Sequence, residues 1–270
     1  MSSPPQTRTR EQIVALIRER ARDAAILCDI DGTLAPVVER ADEATVPPET
    51  RRILAELSAR FALVACISGR QALQARRMVG LDSVTYVGNH GLERLAPHAD
   101  APQLEPGLED RAPQVRAFAR ARYDAALEEA GISLEDKDAI WAFHWRGAQD
   151  SERARALLAD VAAAADAAGL VPHWGRMVLE IRPIATVDKG TAVDSALAGS
   201  TVQVALFAGD DTTDLDAFRR VRELESAGDL DAGVCVGVAS AESPPEIAAQ
   251  ADMVVAGPRE FRDLLGRLAA

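Results

Sequence analysis

The amino-acid sequence predicts a doubly wound α/β fold, a mostly parallel sheet with helices on both faces, interrupted by a smaller α/β insertion. Three observations carry that reading: six short apolar runs recur along the chain, helical patterns lie between most of them, and the stretch 106–183 keeps a different rhythm. The runs are 24–30 (AAILCDI), 61–67 (FALVACI), 84–88 (VTYVG), 202–208 (VQVALFA), 233–238 (GVCVGV) and 252–255 (DMVV). Continuous apolar runs, rather than alternating ones, are what strands covered on both faces require. Helical patterns at 11–22, 48–60, 188–198 and 213–223 supply the crossovers that parallel strands need.

Within the insertion, a helix with apolar positions at Val115, Phe118, Ala119, Tyr123, Ala126 and Leu127 runs to Gly131, and an alternating strand, Ile140 to Arg146, follows. A second helix starts at Asp150 as N-cap and stops at Gly169, before another alternating strand from Met177 to Arg182. The predicted order is therefore helix, strand, helix, strand, with 1–105 and 184–270 forming the core and 106–183 the insertion. Ligands of such sheets bind outside the strand carboxyl ends, so the insertion is expected to serve as a lid there.

Nearly half of the 270 residues are apolar, enough for a sizeable core, yet no stretch of about 18 residues or more lacks charges. The first residues, MSSPPQTRTREQ, also lack the apolar run of a signal peptide. A soluble, cytoplasmic protein is expected. Its formal charge of −12 opposes binding to nucleic acid or to anionic membrane surfaces, which leaves a small molecule as the expected partner. Cys28, Cys66 and Cys235 each sit in an apolar run and read as small buried hydrophobes.

The chemistry is concentrated at the ends of the apolar runs. DIDGTLAP, residues 29–36, places two carboxylates directly after the first run. Side chains two residues apart leave a strand end on the same side, so Asp29 and Asp31 can converge on one atom. Gly32 permits the sharp backbone change that follows. GDDTTDLD, residues 209–216, crowds Asp210, Asp211 and Asp214 into one turn after another run. Clustered carboxylates with no basic residue nearby suit a hard divalent cation, usually Mg2+ when phosphate is also bound. Ser68 in CISGR offers a hydroxyl beside the amide of Gly69, and Lys189 stands in DKGTAV at a helix start. Taken singly, those two read as a turn residue and a surface lysine.

Together and in this order, the four elements resemble the haloacid dehalogenase superfamily. The resemblance implies a Rossmann-like core with an inserted cap domain, Asp29 as a nucleophile that forms an aspartyl phosphate, and Asp31 as the acid that protonates the leaving oxygen and then activates water. It implies too that Asp29, the carbonyl of Asp31 and Asp210 bind Mg2+, with Asp214 supporting the ion or its waters, while Ser68 and Lys189 cradle the phosphate. Such cations are needed, because an anionic nucleophile meets a phosphate dianion with roughly 4 kcal/mol of repulsion per charge pair at about 4 Å and an effective dielectric near 20.

Within that superfamily the chain is similar to trehalose-6-phosphate phosphatases over nearly its whole length. The matching stretches are DIDGTLAP at 29–36, SGR at 68–70, GNHGLE at 88–93, FHWR at 143–146, LEIRP at 179–183, the Lys-Gly pair at 189–190 and GDDTTDLDAF at 209–218. Ile30 departs from the pattern, an aromatic residue being frequent there. The resemblance implies hydrolysis of trehalose 6-phosphate to trehalose and phosphate in trehalose biosynthesis; a monomer is expected. It carries Gly32, Gly69, Arg70, Asn89 and His90 to substrate binding. With core and cap filling 270 residues, a fused synthase segment is not expected. Phosphatases for sucrose phosphate or glucosylglycerate phosphate on the same scaffold, a phosphomutase using the same aspartyl phosphate, and a silent sugar-phosphate sensor remain the alternatives.

The cap strands can also be read by parity. Trp141, Phe143 and Trp145 face one way and Ala142, His144 and Arg146 the other; Met177, Leu179 and Ile181 likewise oppose Val178, Glu180 and Arg182. Each strand thus has an apolar face for the cap helices and a polar one, and His144, Arg146, Glu180 and Arg182 form a set suited to sugar hydroxyls. Lys137 matches a lysine of the family, but strict alternation puts it on the apolar parity, so a bulge or loop must intervene. His98 and His173 have no assigned role.

Overall fold

The computed structural model describes residues 7–38, 43–108, 110–175, 177–183, 187–240 and 243–270. The chain divides into two compact units, one of Met1–Gln103 with Val187–Ala270 and one of Leu104–Thr186. In the first unit the strands are β1 (Ala24–Cys28), β2 (Leu63–Ile67), β3 (Thr85–Gly88), β4 (Glu93–Leu95), β10 (Val204–Gly209), β11 (Ala232–Ala239) and β12 (Met253–Ala256). The second unit holds β6 (Ser133–Lys137), β7 (Ile140–His144), β8 (Val171–Gly175) and β9 (Val178–Arg182), and β5 (Gln103–Leu104) lies at the boundary.

The large sheet has the order β12-β11-β10-β1-β2-β3-β4-β5. From β12 to β3 every neighbour is parallel, and β4 turns back antiparallel on β3. The six predicted parallel strands are all present. The short β4 and β5 escaped the sequence reading because two or three residues leave no periodicity to detect. After β1 the chain builds outward through β2 and β3, then returns to β10 on the other side of β1. The switch in winding direction thus falls between β1 and β10, where a doubly wound sheet opens a crevice at its strand ends.

Successive residues of β1 alternate between two apolar layers. Ile26 and Cys28 join one layer with Ile13 and Ile17 of α1 (Arg10–Glu19), Leu54 and Leu57 of α2 (Pro48–Arg60), Val79 of α3 (Ala72–Val79) and Phe261 of the C-terminal helix. Ala25 and Leu27 join the other, with Phe207, Val193 of the helix Lys189–Leu197 and Phe218 of the helix Asp214–Ala227. The Phe207 and Phe218 rings meet edge to face at 5.9 Å, and burying each such side chain contributes about 1.5–3 kcal/mol. Cys28, Cys66 and Cys235 are free and buried. Burial raises the pKa of all three thiols, which suits packing rather than chemistry.

The second unit differs from the predicted helix, strand, helix, strand. Its sheet has four antiparallel strands in the order β6-β7-β9-β8. Its first helix is broken into α4 (Ala112–Arg122) and α5 (Ala125–Glu129), because Asp124 takes an extended backbone and caps Leu127 N. α6 (Ser151–Ala167) begins after Asp150, whose side chain accepts from Arg153 N, and the left-handed Gly169 lies just beyond its end. Trp141, Phe143, Leu179 and Ile181 form one apolar core with Val115 of α4 and Leu158 of α6. The remaining helices, all in the first unit, are α7 (Lys189–Leu197), α8 (Asp214–Ala227), α9 (Pro245–Gln250) and α10 (Gly257–Ala269). Among the described residues no helix is long and apolar enough to cross a membrane.

Candidate active site

Asp29 follows β1 and Asp210 follows β10, so the two carboxylates emerge side by side at the switch point. Asp29 N donates to Ala208 O at 2.9 Å and prolongs the ladder by one step. The chain then folds tightly: the carbonyl of Ile30 accepts from Leu34 N and Ala35 N, and Gly32 N donates back to Ala35 O. Gly32 has φ +87°, and a Cβ there would lie 2.1 Å from Asp210 Oδ2. Only glycine allows both that backbone and that approach. Ile30, the departure noted above, is fully buried in the core and leaves the spacing of the acids unchanged.

Lys189 opens α7 and is 3% exposed. Its Nζ lies 2.7 Å from both Asp29 Oδ1 and Asp214 Oδ1. Asp214 Oδ2 accepts from the amides of Asp210 and Asp211. Each Asp214 oxygen therefore already has donors, and through them Asp214 braces the loop that carries Asp210. Asp211 caps Thr213 and Asp214 from the half-open rim. Thr33 Oγ1 donates to Asp210 Oδ1 at 2.9 Å and orients that carboxylate.

The charge here is unbalanced. Asp29, Asp210 and Asp214 each place an oxygen within 4.8 Å of the others, against the single ammonium of Lys189. Burial opposes the lysine's charge, but Asp214, Asp29 and Asp211 outweigh it and hold its pKa well above the ordinary value. For the acids the deficit shows the other way. Burial, with Asp214 and Asp211 adding to it, pushes Asp210 up to about 7, and burial likewise raises Asp29. A hard dication would relieve that excess, so these oxygen donors fit one.

Around this centre stand two loops. Ser68 follows β2, and its Oγ accepts from Arg70 N. Arg70 grips Asp31 with both ends of its guanidinium, Nε to Oδ2 and Nη2 to Oδ1, each at 2.7 Å. The Asp31 bond raises the arginine's pKa further. Asn89 N donates to Arg70 O and His90 N to Ser68 O, which ties the turn after β3 to the Ser68 loop. The His90 ring lies against Gly69, where a Cβ would come within 2.6 Å of Cε1. Asp29, Asp31, Gly32, Ser68, Gly69, Arg70, Asn89, His90, Lys189, Asp210 and Asp214 are thus all at strand ends or helix starts of the first unit.

In the second unit, Lys137 Nζ lies 2.9 Å from Glu180 Oε1, and Arg182 Nη2 lies 2.7 Å from Oε2. Burial alone would raise the Glu180 pKa; Lys137 and Arg182 overcome it and hold the carboxyl at about 2. The parity conflict at Lys137 is resolved by a hairpin. Lys137 ends β6, faces Ile140 across the turn and so joins the even-numbered, polar side of β7. His144 Nε2 lies 2.7 Å from Glu135 Oε2, and this bond lowers the Glu135 pKa. His173 pairs with Glu180 in the ladder, and burial lowers its pKa. Arg146 lies past the end of β7 and is exposed, while His98 is an exposed neighbour of Asp82 in the first unit. Sequence reasoning missed Thr33 and Glu135. The threonine was visible within DIDGTLAP, and the glutamate shares parity with Lys137 in a strand too polar to look like one.

A family model described as trehalose-phosphatase matches residues 27–256. The chain is 34% identical over 207 residues to a trehalose-phosphate phosphatase of Mycobacterium tuberculosis, an alignment that covers 73% of this chain and 51% of that protein. It is 36% identical over 214 residues to an uncharacterized glycosyl hydrolase of the same species, covering 74% and 15%. The chain therefore spans about half the length of the first relative and a small fraction of the second. In fold it is similar to the C-terminal domain of C. albicans trehalose-6-phosphate phosphatase, with TM-score 0.70, 20% identity and coverage of 99% and 98%. A haloacid dehalogenase-like hydrolase from Bacteroides thetaiotaomicron is also similar, with TM-score 0.62, 15% identity and coverage of 92% and 100%.

Proposed function

Since the chain belongs to the trehalose-phosphatase family, we propose that it hydrolyses trehalose 6-phosphate to trehalose and phosphate through a phosphorylated Asp29. The observation that carries this reading is the buried constellation of Asp29, Lys189, Asp214 and Asp210 at the switch point of the sheet. Lys189 occupies Asp29 Oδ1, which leaves Oδ2 to attack phosphorus. As the new bond to Asp29 forms, the bond from phosphorus to the sugar oxygen breaks, and Asp31 gives that oxygen its proton. In the second step Asp31 takes a proton from water, the water oxygen bonds to phosphorus, and Asp29 leaves as carboxylate.

Ser68 Oγ and the Gly69 amide would hold the phosphoryl oxygens, and Lys189 would offset their charge. Asp29, Asp210 and the carbonyl of Asp31 would hold Mg2+, which supplies further charge neutralisation when bound. For the sugar hydroxyls we assign, in the second unit, the polar side of its sheet with Glu180, Lys137 and His144, together with Arg146; in the first unit, Asn89 and His90 are assigned to substrate binding. A carboxyl held at about 2 stays ionised under all ordinary conditions and accepts firmly from sugar hydroxyls.

The test is a phosphate-release assay over a panel of sugar phosphates, with and without magnesium, on the parent and Asp29→Asn. Magnesium-dependent release from trehalose 6-phosphate, lost in the variant, is the expected result. Release from a different sugar phosphate alone would move the substrate assignment. An isomeric sugar phosphate in place of free phosphate would mean a mutase, and near-normal turnover by Asp29→Asn would sink the mechanism.

A further inference from the structure

Glu93 has no part in the chemistry above, yet its side chain is buried, with 1% of the residue exposed. Its Oε1 accepts from Ala72 N at 2.7 Å, the first amide of α3. That helix starts just after Ser68, Gly69 and Arg70, so Glu93 anchors the far end of the loop that presents them. The N-cap residue, Gln71, is of a type poorly suited to capping, and a carboxylate from another strand takes the position instead. Glu93 is also the ladder partner of Gly88, the residue before Asn89. A Cβ on Gly88 would lie 2.3 Å from Ala72 N and 2.7 Å from Glu93 Oε1. Carboxylate, helix start and Gly88 are therefore packed together without a gap.

The other side of this junction is closed by the two backbone bonds already described, Asn89 N to Arg70 O and His90 N to Ser68 O. Asn89 and His90 keep φ values of 50° and 60°, left-handed angles that are uncommon outside glycine and that Asn and His tolerate better than most residues. We propose that Glu93 is a positioning residue: through the first amide of α3 and its packing on Gly88 it sets the Ser68–Arg70 loop against the Asn89–Gly91 turn, and with it the direction from which Arg70 meets Asp31. This rests on the phosphatase reading and adds a residue which that reading does not use.

The test compares Glu93→Gln, Glu93→Ala and Glu93→Asp with the parent, using trehalose 6-phosphate and a small aryl phosphate. Folding is checked by circular dichroism and affinity for inorganic phosphate by calorimetry. Gln keeps the acceptor and its reach and is expected to stay within about threefold of parental kcat. Ala removes the acceptor and Asp shortens its reach by one methylene; each is expected to lose about tenfold or more in kcat on both substrates, with KM for the aryl phosphate little changed, because small misplacements of reacting groups are costly. A carboxylate that only supports the fold would lower the melting temperature and spare kcat. Parental kcat in folded Glu93→Ala, equal losses in the Gln and Ala variants, or failure of both Ala and Asp variants to fold each overturns the assignment. If the parent releases no phosphate from either ester, it is the phosphatase reading that fails. Glu93 is then judged by phosphate affinity, where a loss of about tenfold in Glu93→Ala supports the role and parental affinity overturns it.

Discussion

Replacing Asp210 with Asn should stabilise the metal-free protein while abolishing its response to magnesium. The carboxyl of Asp210 is held at about 7 against an ordinary 3.8, because burial and the neighbouring Asp214 and Asp211 penalise its anion. A raised acid pKa costs nothing below pH 3.8, where both folded and unfolded chains are protonated. The penalty grows between pH 3.8 and 7 and is complete above it, at about 4 kcal/mol. Asparagine removes the charge and can still accept from Thr33 Oγ1 at its Oδ1, although its amide brings a desolvation cost of its own. Allowing half the gain leaves about 2 kcal/mol, or a rise on the order of 5 °C in melting temperature. Magnesium should invert the order: at a hundred times its Kd it adds about 2.7 kcal/mol to the parent and little to the variant. Thermal melts in chelator and in magnesium, at pH 8 and again near pH 4, measure all of this. A variant that melts at or below the parent in chelator at pH 8, or that gains as much from magnesium, would refute the reasoning.

Lys189→Met should cost about 3–5 kcal/mol of stability in chemical denaturation, since it strands Asp29 and Asp214 without their shared buried cation. It should also remove phosphate release. Asp31→Asn should lower kcat by about 10²–10⁴-fold, while Asp29 phosphorylation by a substrate with a good leaving group is retained, as a rapid-quench burst would show. Glu180→Gln should cut kcat/KM for trehalose 6-phosphate by about 10–100-fold, the worth of a hydrogen bond to a charged group, and leave an aryl phosphate nearly untouched. Because the folded pKa of Glu180 lies below its unfolded value of 4.5, its contribution to stability is present above pH 4.5 and is lost as pH falls through about 2. Acid titrations of the parent and Glu180→Gln should therefore converge toward pH 2 and differ by about 3 kcal/mol at neutrality.

Much of the site was legible because its residues are adjacent in sequence to strong strand signals. Asp29 and Asp31 stand directly after AAILC, and Asp210 directly after VALFAG, so buried strands announce where the acids must emerge. The second unit was less legible. SLEDK, residues 133–137, carries three charges in five residues, and VPHWG contains proline and glycine, so neither showed the alternation that marks a half-buried strand. They are strands because β7 and β9, with their apolar faces against α4 and α6, offer ladder edges that any extended backbone can pair with.

By itself the sequence determined the doubly wound core, the inserted second unit and the identity of the acids that meet at the strand ends, since burial periodicity and residue type are local properties. Tertiary structure alone decided which groups each acid answers to. Lys189 reaches Asp29 from 160 positions away, Arg70 takes Asp31, Asp214 spends its oxygens on a lysine and two amides, and Glu93 caps a helix from another strand. Partners so distant in the chain are chosen by how the sheet closes, and a charge's role follows from its partners rather than from its neighbours in sequence.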